Sequence, residues 1–287
     1  MQSMKRFRVN HQTTYNFIHE VELSAHTLRL RPREGHDQHI ESSVLNITPA
    51  TTLKWYRDTE NNSVAIARFS GSTRQLSIVS DSVVQKFDLS PQDFLLENYA
   101  VNYPFYYEPE DRISLSPYLQ DSKLIDCSVL TRWVAKVRAP VQPVQTFELL
   151  LLLNQHIYTT ISYEKRDEEG VQSSLTTVTK SKGSCRDLAN LFIDTARNLG
   201  FAARFVSGYV YTKDSPVLPG TTHAWAEVFI PGAGWKGFDP THGSLAGANH
   251  IAVAVSRLPE LVPPISGAFR GQADASLKVE VWVTEIS

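Results

Sequence analysis

Six β-prone runs fill the first 87 residues with no helical stripe among them: "KRFRVNHQTTYNF", "VELSAHTLRLRP", "ESSVLNITP", "TTLKWYRD", "NSVAIARF" and "RQLSIVSDSVVQKF". Runs that alternate at period two, or are continuously apolar and short, bury themselves by pairing edge to edge rather than as helices. The pattern predicts an all-β, sandwich-like N-terminal domain. Asn61-Asn62 and Gly71-Ser72 supply residues suited to hairpin turns.

The rest of a 287-residue chain is long enough to form a second core. Pro91, Pro104, Pro109 and Pro117, with tyrosines between Tyr99 and Tyr107, read as an extended connector, so the boundary is placed at residue 110 and the second domain at 111–287. The periodicity then changes. "SKLIDCSVLTRWVAKV" carries apolar residues at Leu124, Ile125, Val129, Leu130, Trp133, Val134 and Val137, a helical stripe in which Cys127 reads as packing. "PVQTFELLLLLNQHIYTTI" predicts a second helix with Thr146 as its N-cap.

In "GSCRDLANLF", Gly183 and Ser184 break the preceding segment. Leu188, Leu191, Phe192, Thr195 and Leu199 then share one helical face as far as Gly200, so a helix is expected from Cys185 to Leu199. "FAARFVSGYVYT", "THAWAEVFIP" and "GWKGFDPT" follow as short β-prone segments. A helix laid on an antiparallel sheet gives an α+β core.

A formal net charge of −2 and 20% charged residues give no electrostatic reason to expect nucleic acid or an anionic membrane as partner. The longest apolar stretch, "FELLLLLN", is far short of the ~20 residues that span a bilayer. The N-terminus lacks the apolar core of a secretory signal, and a cytoplasmic location is expected. Two cysteines do not form a disulfide framework, and a reducing compartment leaves Cys185 free to react.

A thiol is a weak nucleophile until ionised, and the unpaired N–H groups and positive dipole end at a helix start favour the thiolate. The chemistry then needs an imidazole to protonate a leaving amine and a third group to hold that imidazole in one tautomer. His223 heads the strand in "THAWAEVF". Asp239 ends the next one in "GWKGFDPTHG", and an antiparallel pairing of the two would put their side chains next to each other. Cys185, His223, His242 and His250 could also be read as zinc ligands, but no pair has the spacing of a metal motif, so no metal and no cofactor are expected. Asp187 reads as a first-turn acid favoured by the helix dipole, its charge slightly opposing the thiolate.

"GSCRDLANLFIDTARNLGFAARFVSGYV", "HAWAEVFIPGAGWKGFDPTHG" and "HIAVAVSR" resemble the core of the bacterial transglutaminase-like superfamily, a group of cysteine-protease type. "VNHQTTYNFIHEVELSAHTLRLRPRE" is similar to the β-rich domain that precedes this core in the same proteins. The resemblance implies a papain-like fold, with Cys185 as nucleophile, His223 as general acid and base, and Asp239 as orienting carboxylate. It also implies a thioester step on a peptide or protein substrate, hydrolysis ahead of glutamine-type acyl transfer, with a non-catalytic binding module as the rival class.

The chain departs from the family at Ser256-Arg257-Leu258-Pro259, where relatives commonly carry Gly-Arg-Asp-Tyr. No tryptophan lies between Trp133 and Cys185 to serve the oxyanion, so the backbone N–H of Cys185 and Tyr163 are the candidate donors. Trp225 and Ser184 are expected to face the substrate cleft. No EF-hand loop suggests calcium dependence.

Overall fold

The computed structural model describes residues 4–87, 90–119, 128–137, 144–166, 168–213, 220, 222–271 and 274–287. Strands β1 (Lys5–Leu23), β2 (His26–Leu28), β3 (Gln38–Thr48), β4 (Thr51–Arg57), β5 (Ser63–Phe69) and β6 (Ser72–Lys86) build the all-β N-terminal region. On β6 the residues Leu76, Ile78, Ser80, Ser82, Val84 and Lys86 are buried in strict alternation, the signature of a strand with one covered face. β6 lies between β1 and β3 in one sheet, while β2, β5 and β4 form a second. Phe17, Val21, Leu28, Ala65, Leu76 and Ile78 fill the space between the two layers.

The turn before β5 is a hairpin as expected. Asn61 takes φ +59°, and Asp58 Oδ1 accepts the N–H groups of Glu60 and Asn62. The turn at Gly71-Ser72 is not a hairpin, because β5 and β6 belong to different sheets. Gly71, at φ +77°, carries the chain from one layer to the other.

The middle of the chain contributes β7 (Asn102–Tyr103), α1 (Pro109–Leu115), α2 (Ser128–Ala135), β8 (Val144–Gln145), α3 (Thr146–Thr160), β9 (Ser162–Tyr163), α4 (Ser174–Lys180), β10 (Lys182–Gly183) and α5 (Cys185–Asn198). Cys127 lies outside the described residues. Thr146 does not cap α3. Gln145 occupies the cap position without a side-chain bond, and Thr146 is the first helical residue, fully buried. Of the tyrosines between Tyr99 and Tyr107, Tyr107 is buried against the second core, where its hydroxyl donates to Phe229 O and accepts from the Ala202 N–H, whereas Tyr99 and Tyr106 are exposed.

The remainder comprises β11 (Ala203–Val210), β12 (His223–Ile230), β13 (Gly234–Asp239), β14 (Ser244–Leu245), β15 (His250–Ser256), β16 (Ile265–Ser266), β17 (Phe269–Arg270) and β18 (Ala275–Ile286). β14, β13, β12, β11 and β15 make one antiparallel sheet in that order. α5 lies on it with Leu188, Leu191, Phe192, Thr195 and Leu199 all buried, and Phe192 stacks on Phe238 at 5.2 Å. This is the α+β core expected from the sequence.

The end of the chain returns to the beginning. β18 pairs with β1 from Arg6↔Ile286 to Phe17↔Ala275, and β16 and β17 add to β2 and β1. A cut at residue 110 therefore does not separate the two sets of sheets. Phe7 and Val9 of β1 and Val281 of β18 pack with Tyr209, Ile251 and Val253 of the second core. Among the described residues no helix is long and apolar enough to cross a membrane.

Candidate active site

Cys185 opens α5, and the start of that helix is held from several directions. Asp187 Oδ2 accepts the Ser184 N–H and the Ser184 hydroxyl, each at 2.8 Å. Its two oxygens also receive Arg166 Nη1 at 2.7 and 2.9 Å, and Oδ1 the Gln172 N–H at 2.7 Å. Burial disfavours the charge of Asp187, but donors from Gln172, Arg166 and Ser184 outweigh it and keep its carboxyl below the usual range. A Cβ at Gly183 would come within 2.8 Å of the Asp187 Cβ, so only glycine lets the chain enter the helix this closely.

Two adjoining strands supply the next groups. In the β12–β13 register Ala226 faces Phe238, which leaves Asp239 at the end of β13 diagonal to His223 at the start of β12. His223 Nε2 lies 2.8 Å from Asp239 Oδ2. Cys185, at the start of α5, lies close enough to the same ring to favour its charged form. With Nε2 taken by Asp239, Nδ1 is the nitrogen left for a proton exchange with the thiol. Cys185, His223 and Asp239 are 9%, 8% and 0% exposed. Burial opposes a charge on His223, yet the hydrogen bonds and negative charge of Asp239 and Cys185 win, and its pKa is raised to about 10. Asp239 is likewise buried, and three imidazole donors nevertheless hold its carboxyl far below the usual range.

Tyr163 reaches the site through the parallel pairing of β9 with β10, which sets it opposite Gly183. It is exposed, and partial burial and the nearness of Cys185 raise its phenol.

Two expectations are corrected. Trp225 does not line an open cleft: it is 2% exposed, packed against Gly208 and Gly237 and edge-on to His250 at 5.2 Å. Ser184 is also buried, and its hydroxyl is spent on Asp187. Arg166 and Gln172 were not foreseen, because the loop that returns them to the helix start has no periodicity to reveal it. The only trace in the sequence is an acid at the third helical position, which implies a donor nearby.

His242 and His250 join the same carboxylate. His242 Nδ1 lies 2.7 Å and His250 Nε2 3.0 Å from Asp239 Oδ2, and Oδ1 accepts the Thr241 N–H at 3.0 Å. His223, Asp239 and His250 place three donor atoms within 4.8 Å of one another, compact enough for a cation. The second nitrogen of His250 argues for a hydrogen bond instead. Nδ1 faces the Gly247 N–H at 3.3 Å and accepts from it, so the ring proton sits on Nε2, which has no lone pair to give a metal. Arg197, on the far side of α5, donates to Ala203 O and Arg257 O, which ties the divergent Ser256–Pro259 segment to the helix.

Residues 7–85 match the bacterial transglutaminase-like N-terminal region, and residues 132–240 match the transglutaminase-like superfamily. An uncharacterised protein of Mycobacterium leprae is 25% identical over 288 residues, covering 99% of this chain and 100% of its own length. One of Mycobacterium tuberculosis is 28% identical over 289 residues, covering 95% and 90%. A crystal structure described as a "Putative Cysteine Protease" from Cytophaga hutchinsonii superposes with a TM-score of 0.74 at 20% identity, covering 99% of this chain and 92% of that one. The likeness to it is one of fold.

Proposed function

The chain belongs to the transglutaminase-like superfamily through residues 132–240, and from that membership we propose a thiol-dependent enzyme that attacks amide bonds with Cys185, His223 and Asp239. The superfamily, and the shared fold with a protein described as a cysteine protease, support a thiol enzyme in general. One observation carries the finer reading: Asp239 bonds Nε2 of the buried His223 imidazole at 2.8 Å, while Cys185 lies near enough to the same ring to favour its charged form, the grouping a nucleophile, a proton carrier and its orienting anion require.

In this reading the Cys185 thiolate attacks the carbonyl carbon of a peptide or glutamine-type amide, forming a C–S bond and an oxyanion. The backbone N–H of Cys185, at a helix position with no intrahelical partner, and the Tyr163 side chain stabilise that oxyanion. Collapse breaks the C–N bond, and His223 Nδ1 gives its proton to the departing nitrogen. A raised pKa keeps the imidazole charged for that donation at neutral pH. His223 then takes a proton from water, whose oxygen displaces the thiol and leaves a carboxylic acid. Hydrolysis is favoured over transfer to an amine.

The test begins with the thiol. Iodoacetamide should alkylate Cys185 at pH 6 on the order of tenfold faster in the wild type than in His223→Ala. Identical pH profiles in the two proteins would refute the nucleophile. Peptide cleavage, ammonia release and amine incorporation, read separately on a peptide library with Cys185→Ala as control, then divide hydrolysis from deamidation and cross-linking.

A further inference from the structure

We propose that His250 is a positioning residue acting through Asp239: it takes a share of Oδ2 and so limits how strongly that carboxylate holds the proton on His223. The inference rests on the reading of Asp239 as the partner of a reacting imidazole, and it concerns a residue outside the proposed triad.

The first support is stoichiometric. Oδ2 faces three imidazole nitrogens, at 2.7 Å from His242, 2.8 Å from His223 and 3.0 Å from His250, while Oδ1 faces the Thr241 N–H. A carboxylate oxygen offers two lone pairs, so a third donor comes at the expense of the other two. Thr241 already anchors the carboxylate through its other oxygen. The effect of His250 therefore falls on the charge available to His223 more than on the orientation of Asp239.

The second support is that His250 is built as a permanent neutral donor. Its backbone N–H closes a turn on Gly247 O at 2.9 Å, and the Gly247 N–H faces Nδ1, leaving the proton on Nε2. The ring is 8% exposed and packs against the edge of Trp225, itself lodged against Gly208, where a side chain would collide with the indole. Burial lowers the His250 pKa, in contrast to His223 on the same oxygen. Two imidazoles thus share one anion, one held charged and the other neutral. Among the described residues, the other ionisable groups near this carboxylate are Cys185 from α5, with Tyr163 beyond it, and the partly exposed His242. Lys5 from β1 bonds the adjacent Asn249 at 2.9 Å.

The test needs no substrate. In protein labelled with 15N-histidine, the imidazole nitrogens report tautomer and protonation directly. His250 should show its proton on Nε2 from pH 6 to 9. In His250→Phe, which keeps a ring against Trp225 but removes the donor, the His223 titration should move up by about 0.5 to 1 pH unit. In His250→Gln, whose amide can still donate, it should stay near the wild-type value. A proton on His250 Nδ1 overturns the proposal. So does an unchanged or lowered His223 titration in folded His250→Phe. If His250→Phe does not fold, the wild-type tautomer and the His250→Gln titration still decide. Repeating the series in Cys185→Ala separates the outcome from the question of whether the thiol is a nucleophile.

Discussion

Arg166 Nη1 stands 2.7 Å and 2.9 Å from the two carboxylate oxygens of Asp187, two residues after Cys185. The negative charge that would oppose a thiolate at the head of α5 is thereby matched by a guanidinium brought from the preceding loop. The Asp187 side chain is fully buried and that of Arg166 is 16% exposed, so removing the cation strands an anion away from water. Arg166→Met should cost about 3 kcal/mol in urea unfolding. Adding Asp187→Asn should recover part of that loss, because the stranded charge is gone. A double variant that is the plain sum of the single ones would show that the pair does not act as a unit.

Gly208 of β11 stands opposite His223 in the strand register and between β12 and β15. A Cβ there would lie 2.3 Å from the backbone oxygen of Ile251 and 2.6 Å from the Trp225 ring. Neither neighbour is the free end of a flexible chain. Gly208→Ala should destabilise by about 1–3 kcal/mol and displace the indole that backs His250. Chemical denaturation gives the first and tryptophan fluorescence the second. A wild-type midpoint with an unchanged spectrum would contradict the packing.

The fold was most legible where periodicity and punctuation coincide. The buried stripe of α5, closed by Gly200 at φ +92°, and the strands carrying His223 and Asp239 follow from local pattern alone. What escaped depends on contacts far apart in sequence. Nothing in "ASLKVEVWVTEI" says that it pairs with the first strand, because an alternating strand does not encode its partner. At the site, the context of each residue pointed to the grouping: Cys185 at a helix start, His223 on a strand and Asp239 on the adjoining strand. His250 was legible only as a conceivable zinc ligand and not as a partner of Asp239, since its reach to that carboxylate depends on β11 carrying a glycine that leaves room for Trp225. Trp225 and Ser184 were misplaced for a related reason: proximity in sequence to a reactive residue does not say which way a side chain faces. At His250 the zinc alternative is opposed by a backbone N–H at Gly247, which no motif encodes.

His11 is 1% exposed, between the Tyr209 hydroxyl at 2.8 Å and the Thr13 hydroxyl at 2.9 Å, and burial lowers its pKa from 6.5 to about 4. The folded protein therefore keeps it neutral where the unfolded chain takes up a proton. Its contribution is fully present above pH 6.5 and is lost as pH falls from 6.5 towards 4, by about 3 kcal/mol across that interval. His26 and His250, also lowered by burial, act in the same direction. His11→Gln should flatten the fall of urea stability between pH 6.5 and 4 relative to the wild type. A pH dependence as steep as before would mean that His11 is not held neutral.

The pairing of β18 with β1 predicts that the last strand is structural for both parts of the molecule. β1 faces β6 on one side and, from Arg6 to Phe17, β18 on the other, so removing residues 275–287 turns twelve paired positions of β1 into an open edge. The same deletion takes Val281 from the cluster in which Phe7 and Val9 meet Tyr209, Ile251 and Val253, and with it the Gly220 bridge to Val281. An exposed edge next to uncovered apolar residues recruits other chains. The truncated protein should form oligomers or aggregates on size exclusion, and its urea transition should fall to lower concentration. Its thiol should also lose any advantage at pH 6, because β15, which carries His250, packs against that cluster through Ile251 and Val253. A monomeric truncated protein with the wild-type transition and alkylation rate would show that β18 merely lies on a sheet already complete without it.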